Sequence, residues 1–292
     1  MNHPRISIVT PTFNQAEFLE QTIDSVLGQS YPNLEYIIVD GGSTDSSVDI
    51  IRKYEKHLSF WVSEKDQGMY DAIHKGFQHS TGDIMAWINS DDMYHKNAFT
   101  TVERIFGSFP EVQWFQGNPT TFDRSGHITL AKPLRRWSKY NFYTGDYKWI
   151  QQESTFWKRS LWEKAGSRMN AQMKYAGDFE LWLRFFRHER LFVSNAIIGG
   201  FRISSKNQLS FGHLKSYLDE LDKCLEAEVF DSVVRKKILQ IKRCKKLLDT
   251  TSRVNIGSLK LKYHRLFEYP PQIVFNTAIQ EFELVPAEGF TY

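Results

Sequence analysis

The sequence predicts an α/β protein built on a doubly wound, mostly parallel sheet. Two observations carry this. The first 110 residues alternate short apolar runs with amphipathic stretches. The polar residues that follow the apolar runs (Thr10–Asn14, Asp40–Asp45 and Asn89–Asp92) fall where such a sheet binds its ligands, outside the carboxyl ends of the strands.

Taken in order, Ile6–Thr10 reads as a buried strand and Pro11-Thr12-Phe13-Asn14 as its exit loop. Phe18–Gln29 carries Leu19, Ile23, Val26 and Leu27 at helical spacing. Leu34–Asp40 is a second strand ending on a carboxylate. Gly41-Gly42-Ser43-Thr44-Asp45 is a tight loop whose last residue caps the next helix. Phe60–Ser63 is a third strand, Met69–Ser80 a helix, and Ile84–Ile88 a fourth strand running into Asn89-Ser90-Asp91-Asp92. Repetition of this kind implies parallel strands joined by right-handed crossovers. The last 80 residues read as mostly helical: Leu214–Glu228 and Val233–Leu248 are amphipathic, and the second is rich in Lys and Arg.

Composition narrows the function classes. A chain of 292 residues is long enough for one large α/β domain plus an appended element, or for two modest domains. A net charge of +3 is too small to argue for nucleic acid as partner. Cys224 and Cys244 give no disulfide framework or zinc site. No apolar run approaches the ~18 residues of a membrane span. The opening MNHPRISIVTP has no signal-peptide pattern. A cytoplasmic protein is expected, able to rest on a membrane surface. No G-x-G-x-x-G follows the first strand and no P-loop motif exists, so dinucleotide and P-loop folds are disfavoured. Aromatics at 15% fit core packing and sugar stacking equally.

Asn89-Ser90-Asp91-Asp92 places two adjacent carboxylates at a strand exit, where burying them unpaired would be costly. Hard oxygen ligands of this kind suit Mn²⁺ or Mg²⁺ bridging to phosphates; the alternative is an Asp-rich turn capping the helix near residues 96–109. Asp40, followed by two glycines, could accept from a base N–H or simply order its turn. Asp66 and Asp71 flank a helix start, where Asp71 reads as a cap.

IVTPTFN, VDGGSTDSS, EKDQGMYDAIHKG and TGDIMAWINSDD, continued by QQESTFWKRSLWEKAG, GDFELWLR and GGFRISSKNQLS, together resemble glycosyltransferase family 2, inverting enzymes of the GT-A fold. The resemblance covers about residues 4–212 in order and spacing. It implies a nucleotide-sugar donor, commonly a UDP-sugar, a divalent cation, and a saccharide or lipid-linked saccharide acceptor of the kind used in bacterial surface-polysaccharide assembly. By position, it assigns Thr10, Pro11, Asn14, Asp40, Asp66, Ser90 and Asp91 to the donor. Asp91 is also the expected metal ligand, with His213 a late second one. Gln151, Gln152, Glu153 and Asp92 fall near the sugar or acceptor, and Asp178 matches the catalytic base.

The sequence departs from the family pattern at Asn89, where Asp is frequent, and at Gly177, which replaces an acid before the base. The implied organisation is a GT-A domain over 1–212, with a nucleotide-sugar half (1–110) and an acceptor half (111–212), followed by a helical, basic extension over 213–292. That basic helix reads either as a solvated face or as a contact with an anionic membrane. Two rivals remain at this point. A sugar nucleotidyltransferase would want a glycine-rich basic loop after the first strand, which Thr10–Asn14 does not supply. A catalytically silent nucleotide-sugar-binding or scaffold protein would not need Asp40, Asp91 and Asp178 together.

Overall fold

The computed structural model describes residues 3–146, 149–203, 213–250 and 257–286. Four strands follow the predicted order: β1 (Ile6–Thr12), β2 (Leu34–Asp40), β3 (Phe60–Ser63) and β4 (Ile84–Trp87). They are separated by α1 (Leu19–Leu27), α2 (Ser47–Tyr54) and α3 (Met69–His79). β1 pairs in parallel with both β2 and β4, and β2 with β3, so the first quarter of the chain is the doubly wound half of the sheet. Ile6, Ile8, Val9 and Ile37–Val39 are fully buried because helices cover both faces of these strands.

The chain continues through β5 (Met93–Tyr94), α4 (Ala98–Ser108), β6 (Trp114–Gln116), β7 (Thr120–Phe122), β8 (Ile128–Ala131) and α5 (Lys139–Tyr143). β9 (Thr155–Lys158), α6 (Arg159–Lys164), α7 (Gly177–His188), β10 (Phe192–Ser194) and β11 (Gly199–Arg202) follow. β9 inserts antiparallel between β4 and β6, while β5, β11, β7 and β8 form a smaller second sheet. Much of the aromatic excess goes into this middle core. Trp182 on α7 is 1% exposed and stacks between Trp87 and Trp114, with ring centroids 5.7 and 5.5 Å away.

The C-terminal part holds α8 (Leu214–Glu226), α9 (Ser232–Thr250) and α10 (Gly257–Arg265), as the amphipathic pattern predicts. It does not stay helical to the end. β12 (Gln272–Asn276) pairs in parallel with β10, and β13 (Glu281–Val285) pairs antiparallel with β12, completing a nine-stranded sheet. The run Gln272–Asn276 has too few residues for its period to separate strand from helix, and its partner β10 lies 80 residues upstream, so local pattern does not reveal it. Leu221 of α8 and Ile273 of β12 are buried in the same core as β1 and β2, so the part after residue 212 is packed into the domain. Among the described residues, no helix is long and apolar enough to cross a membrane.

Candidate active site at the carboxyl ends of the strands

The first strand runs two residues further than its apolar pattern, because Pro11 and Thr12 stay in register with Val39 and Asp40 of β2. This overturns the expectation for Thr10. It is fully buried, its hydroxyl lies 3.0 Å from that of Tyr36, and it cannot face a ligand. Pro11 is likewise inside the strand. The first residue clear of the sheet is Phe13, 58% exposed, which the sequence reading passed over. Its place in the exit loop Pro11-Thr12-Phe13-Asn14, after the apolar run ends, was the available signal.

Asn14, at φ 52°, ties this exit to the next loop: its N–H donates to Ser43 Oγ at 2.8 Å, and its Oδ1 accepts from the Thr44 N–H at 2.8 Å. Asp40 is fully buried. Its Oδ2 accepts from the N–H groups of Gly42 and Ser43 (3.1 and 2.9 Å) and from Ser63 Oγ (2.6 Å), while Oδ1 accepts from Ser43 Oγ. A carboxylate with three donors in its own turn and a fourth from Ser63 of β3 is not offered to a base N–H in this conformation. Its visible work is to order residues 41–44.

Asp66 stands directly against that turn. A Cβ on Gly41 would come within 2.6 Å of its Oδ2, so a side chain there would displace the Asp66 carboxylate from its place against the turn. Asp66 Oδ1 accepts from the Gly68 N–H at 2.8 Å and the residue is half-buried at the rim. Asp71 is not the N-cap, which is Gly68; it lies in the first turn of α3, accepts from the Gln67 N–H at 3.1 Å and pairs with Lys75 at 3.4 Å.

After β4 the chain turns through residues 89–92. Asp92 points inward: fully buried, it accepts from the Arg202 N–H at 2.7 Å and from Asn89 Nδ2 at 3.2 Å. Burial first, then the neighbouring Glu153, pushes its carboxyl well above the usual range. Glu153 is only 5% exposed, is pushed up to about 7 chiefly by burial, and shares a hydrogen bond with Asp92. Asp92 and Glu153 therefore form a buried acid pair beneath the loop, and the expectation that they face the acceptor is not met. Gln151 exchanges two hydrogen bonds with the Thr120 backbone (3.2 and 2.7 Å), and Gln152 donates to the Trp87 carbonyl, so both amides brace the second sheet and β4. Ser90 is also buried, at 5% exposed.

Asp91 differs from its neighbours. It is half-buried at the loop's tip, and among the described residues no side chain donates a hydrogen bond to its carboxylate. Burial raises its pKa, and the Arg202 cation partly offsets that. Arg202, at the end of β11, holds the loop in place. Its Nε donates to the Asp91 carbonyl at 2.6 Å, its Nη2 to Gln21 Oε1 at 2.9 Å, and its Nη1 to the carbonyls of Asp123 and Arg124 at 3.2 and 2.9 Å. An arginine at a strand end gives no sequence signal for that role.

Asp178 opens α7 at its second residue, where the helix N-terminus favours negative charge. It is half-buried, and desolvation pushes its carboxyl up to about 6 rather than the ordinary value near 4 that the sequence alone implies. The Tyr70 hydroxyl lies 3.3 Å from Asp178 Oδ1 and 3.0 Å from the Tyr175 carbonyl. Gly177 explains the missing acid of the family pattern: a Cβ there would sit 2.7 Å from the Tyr70 ring. The turn before Asp178 is held from the C-terminal part, since the Glu220 carboxylate accepts from the N–H groups of Lys174, Tyr175 and Ala176 at 2.9–3.0 Å.

Tyr217 of α8 lies near Asp178, whose charge adds to burial in keeping the Tyr217 phenol protonated, and Trp149, 58% exposed, tilts against Tyr217 with centroids 6.4 Å apart. His213 precedes α8 and stacks on Tyr175 at 4.9 Å. Among the described residues no three His, Cys, Asp or Glu side chains converge on a metal position. One accessible carboxylate nevertheless fits a cation that takes most of its oxygen ligands from a diphosphate and water, and Asp91 is that carboxylate.

The model for "Glycosyl transferase family 2" matches residues 7–163. The chain belongs to this family. As a family 2 member it is a glycosyltransferase, and its sheet is of the GT-A type. It is 37% identical over 97 residues to a putative teichuronic acid biosynthesis glycosyltransferase, TuaG, of Bacillus subtilis, a match covering 32% of this chain and 38% of that one. Among solved structures, it is similar to residues 1–349 of S. aureus TarS in complex with UDP-GlcNAc (TM-score 0.64, 14% identity, 90% of this chain and 78% of that one). It is also similar to the mannosyltransferase PcManGT of Pyrobaculum calidifontis in complex with GDP-Man and Mn²⁺ (TM-score 0.62, 18% identity, 82% and 69%). The match spans 42% of the longer TarS chain.

Proposed function

We propose that this glycosyltransferase moves a sugar from a UDP-sugar to an acceptor hydroxyl in one inverting displacement, with Asp178 as general base. The observation that carries it is the Asp178 carboxyl: at the N-terminus of α7, half-buried, beside the Tyr70 hydroxyl and with its pKa pushed up to about 6. Such a group is ionised at neutral pH, yet is a better proton acceptor than a surface aspartate. The acceptor oxygen attacks the anomeric carbon as Asp178 takes its proton. The bond to the nucleoside diphosphate breaks on the opposite face, which inverts the centre.

The donor lies along the strand ends. Phe13, Asn14 and the turn ordered by Asp40 take the nucleoside, Asp66 lines the rim, and Asp91 faces the diphosphate. A divalent cation, Mn²⁺ or Mg²⁺, held by Asp91 would supply charge neutralisation of the departing diphosphate. Arg202 keeps the Asp91 loop in register through the Asp91 carbonyl. Residues 1–110 thus act as the donor half and 111–212 as the acceptor half, to which Trp149 and Tyr217 add an aromatic wall suited to a sugar face. The acceptor is a saccharide or lipid-linked saccharide of bacterial surface-polysaccharide assembly, a setting supported by the resemblance to the teichuronic acid enzyme. A lipid-linked acceptor would bring a cytoplasmic enzyme to the membrane surface. Competition between UDP and GDP for the site tests the donor reading: UDP should bind the more tightly, and a stronger GDP would refute it.

A further inference from the structure

The solvent face of α9 points to a partner outside the sugar-transfer chemistry. Between Ser232 and Thr250 the helix carries seven cations and one carboxylate, Asp249. Ile238, Ile241 and Cys244 form its buried face, and the first two pack with Tyr140 and Phe267 in a second apolar cluster. Lys236, Leu239, Arg243 and Lys246 follow at i, i+3, i+7 and i+10, which places them together on the opposite, exposed face. Lys242 flanks them, and Lys245, also exposed, lies nearer the azimuth of the buried face. Lys237 is paired with Glu268 at 2.7 Å, whereas Lys236, Lys242, Arg243, Lys245 and Lys246 form no ion pair among the described residues. A solvated helix normally mixes signs at i, i+4, and within Ser232–Thr250 only Asp249, four residues after Lys245, does so. Apolar side chains stand among the cations instead: Val233, Leu239 and Leu247 are 72, 54 and 55% exposed.

We propose that this face docks the enzyme on an anionic lipid surface, the cations against phosphate headgroups and Leu239 into the interface. Charge complementarity chooses lipid over a protein groove, and the interleaved apolar residues choose it over a purely polyanionic partner, which would leave them in water. The helix is joined to the Asp178 region by packing contacts. It packs on Tyr140 of α5, and Phe142 of the same helix packs on Phe179, next to Asp178, with centroids 4.6 Å apart. Docking through α9 therefore fixes the orientation of the acceptor side relative to the bilayer. The proposal rests on the reading of the acceptor as lipid-linked.

The test is co-sedimentation of the full chain with vesicles of phosphatidylcholine, alone or containing one-third phosphatidylglycerol, at low and high salt. The chain should sediment with the anionic vesicles only, and release as salt rises. Lys236→Gln/Arg243→Gln/Lys246→Gln should weaken the partition on the order of 100-fold, at about 1 kcal/mol for each cation lost. Leu239→Gln should weaken it further without changing the salt dependence. UDP binding, measured on the same samples, should be unchanged, so a failed docking reading leaves the donor reading standing, and the reverse. Equal sedimentation of wild type and the triple variant would overturn the proposal. So would an absence of sedimentation, or retention on a single-stranded oligonucleotide at salt that releases the vesicles.

Discussion

Asp178→Asn separates a catalytic carboxylate from a helix cap, and it does so even before the acceptor is identified. The fold holds Asp178 charged where desolvation has moved its pKa from 3.8 to about 6. Keeping it ionised at pH 7.5 therefore costs the native state up to roughly 3 kcal/mol, less whatever residual solvent screens. Asn keeps the shape, can accept from Tyr70, and caps a helix as well as Asp does. The variant should therefore be more stable than wild type at pH 7.5, by about 1–3 kcal/mol. As pH falls through 6 toward 3.8, the folded wild type takes up the proton before the unfolded chain does and gains stability, so the difference should shrink toward zero near pH 4. Urea unfolding of both proteins across that range measures it. Transfer should fall at least ~10²-fold. A variant that is less stable at pH 7.5, or a difference independent of pH, would refute the desolvation argument. Near-normal transfer would refute the assignment of the base.

Tyr70→Phe removes a donor to Asp178 Oδ1 and so disfavours the charged form. The acid limb of the rate profile should move up by roughly 0.5–1 pH unit, and an unmoved limb would remove Tyr70 from the site. Gly177→Glu restores the family's acid but drives a Cβ to 2.7 Å from the Tyr70 ring. It should destabilise by roughly 1–3 kcal/mol in urea unfolding, and an unaffected midpoint would show that Tyr70 can move aside.

The donor half was largely legible because its elements are local. β2 and β3 begin and end where apolar runs and turn residues place them, and β4 ends within one residue of its predicted boundary. The run Phe192–Ser194 and the strands β12 and β13 were not, since three- to five-residue apolar runs acquire strand identity only from a distant partner. Within the site, resemblance located the right loops but not the direction of each side chain. β1 runs two residues past its predicted end and is buried on both faces through Thr12, so Thr10 lies inside it and Phe13 is the first exposed residue after it. Asp91 and Asp92 are adjacent, yet one lines the loop tip and the other joins Glu153 in the interior. Arg202 and Glu220 act on the Asp91 and Asp178 loops from 111 and 44–46 residues away, and no local pattern announces such long-range braces.

Calorimetric titration of UDP into wild type, Asp91→Ala and Asp178→Asn, each with Mn²⁺ and again with EDTA, tests the division of labour between the two carboxylates most directly. Binding should be metal-dependent and equal in wild type and Asp178→Asn, with the metal-dependent part lost in Asp91→Ala. Equal affinity with Mn²⁺ and EDTA, or a loss of nucleotide binding in Asp178→Asn, would contradict it.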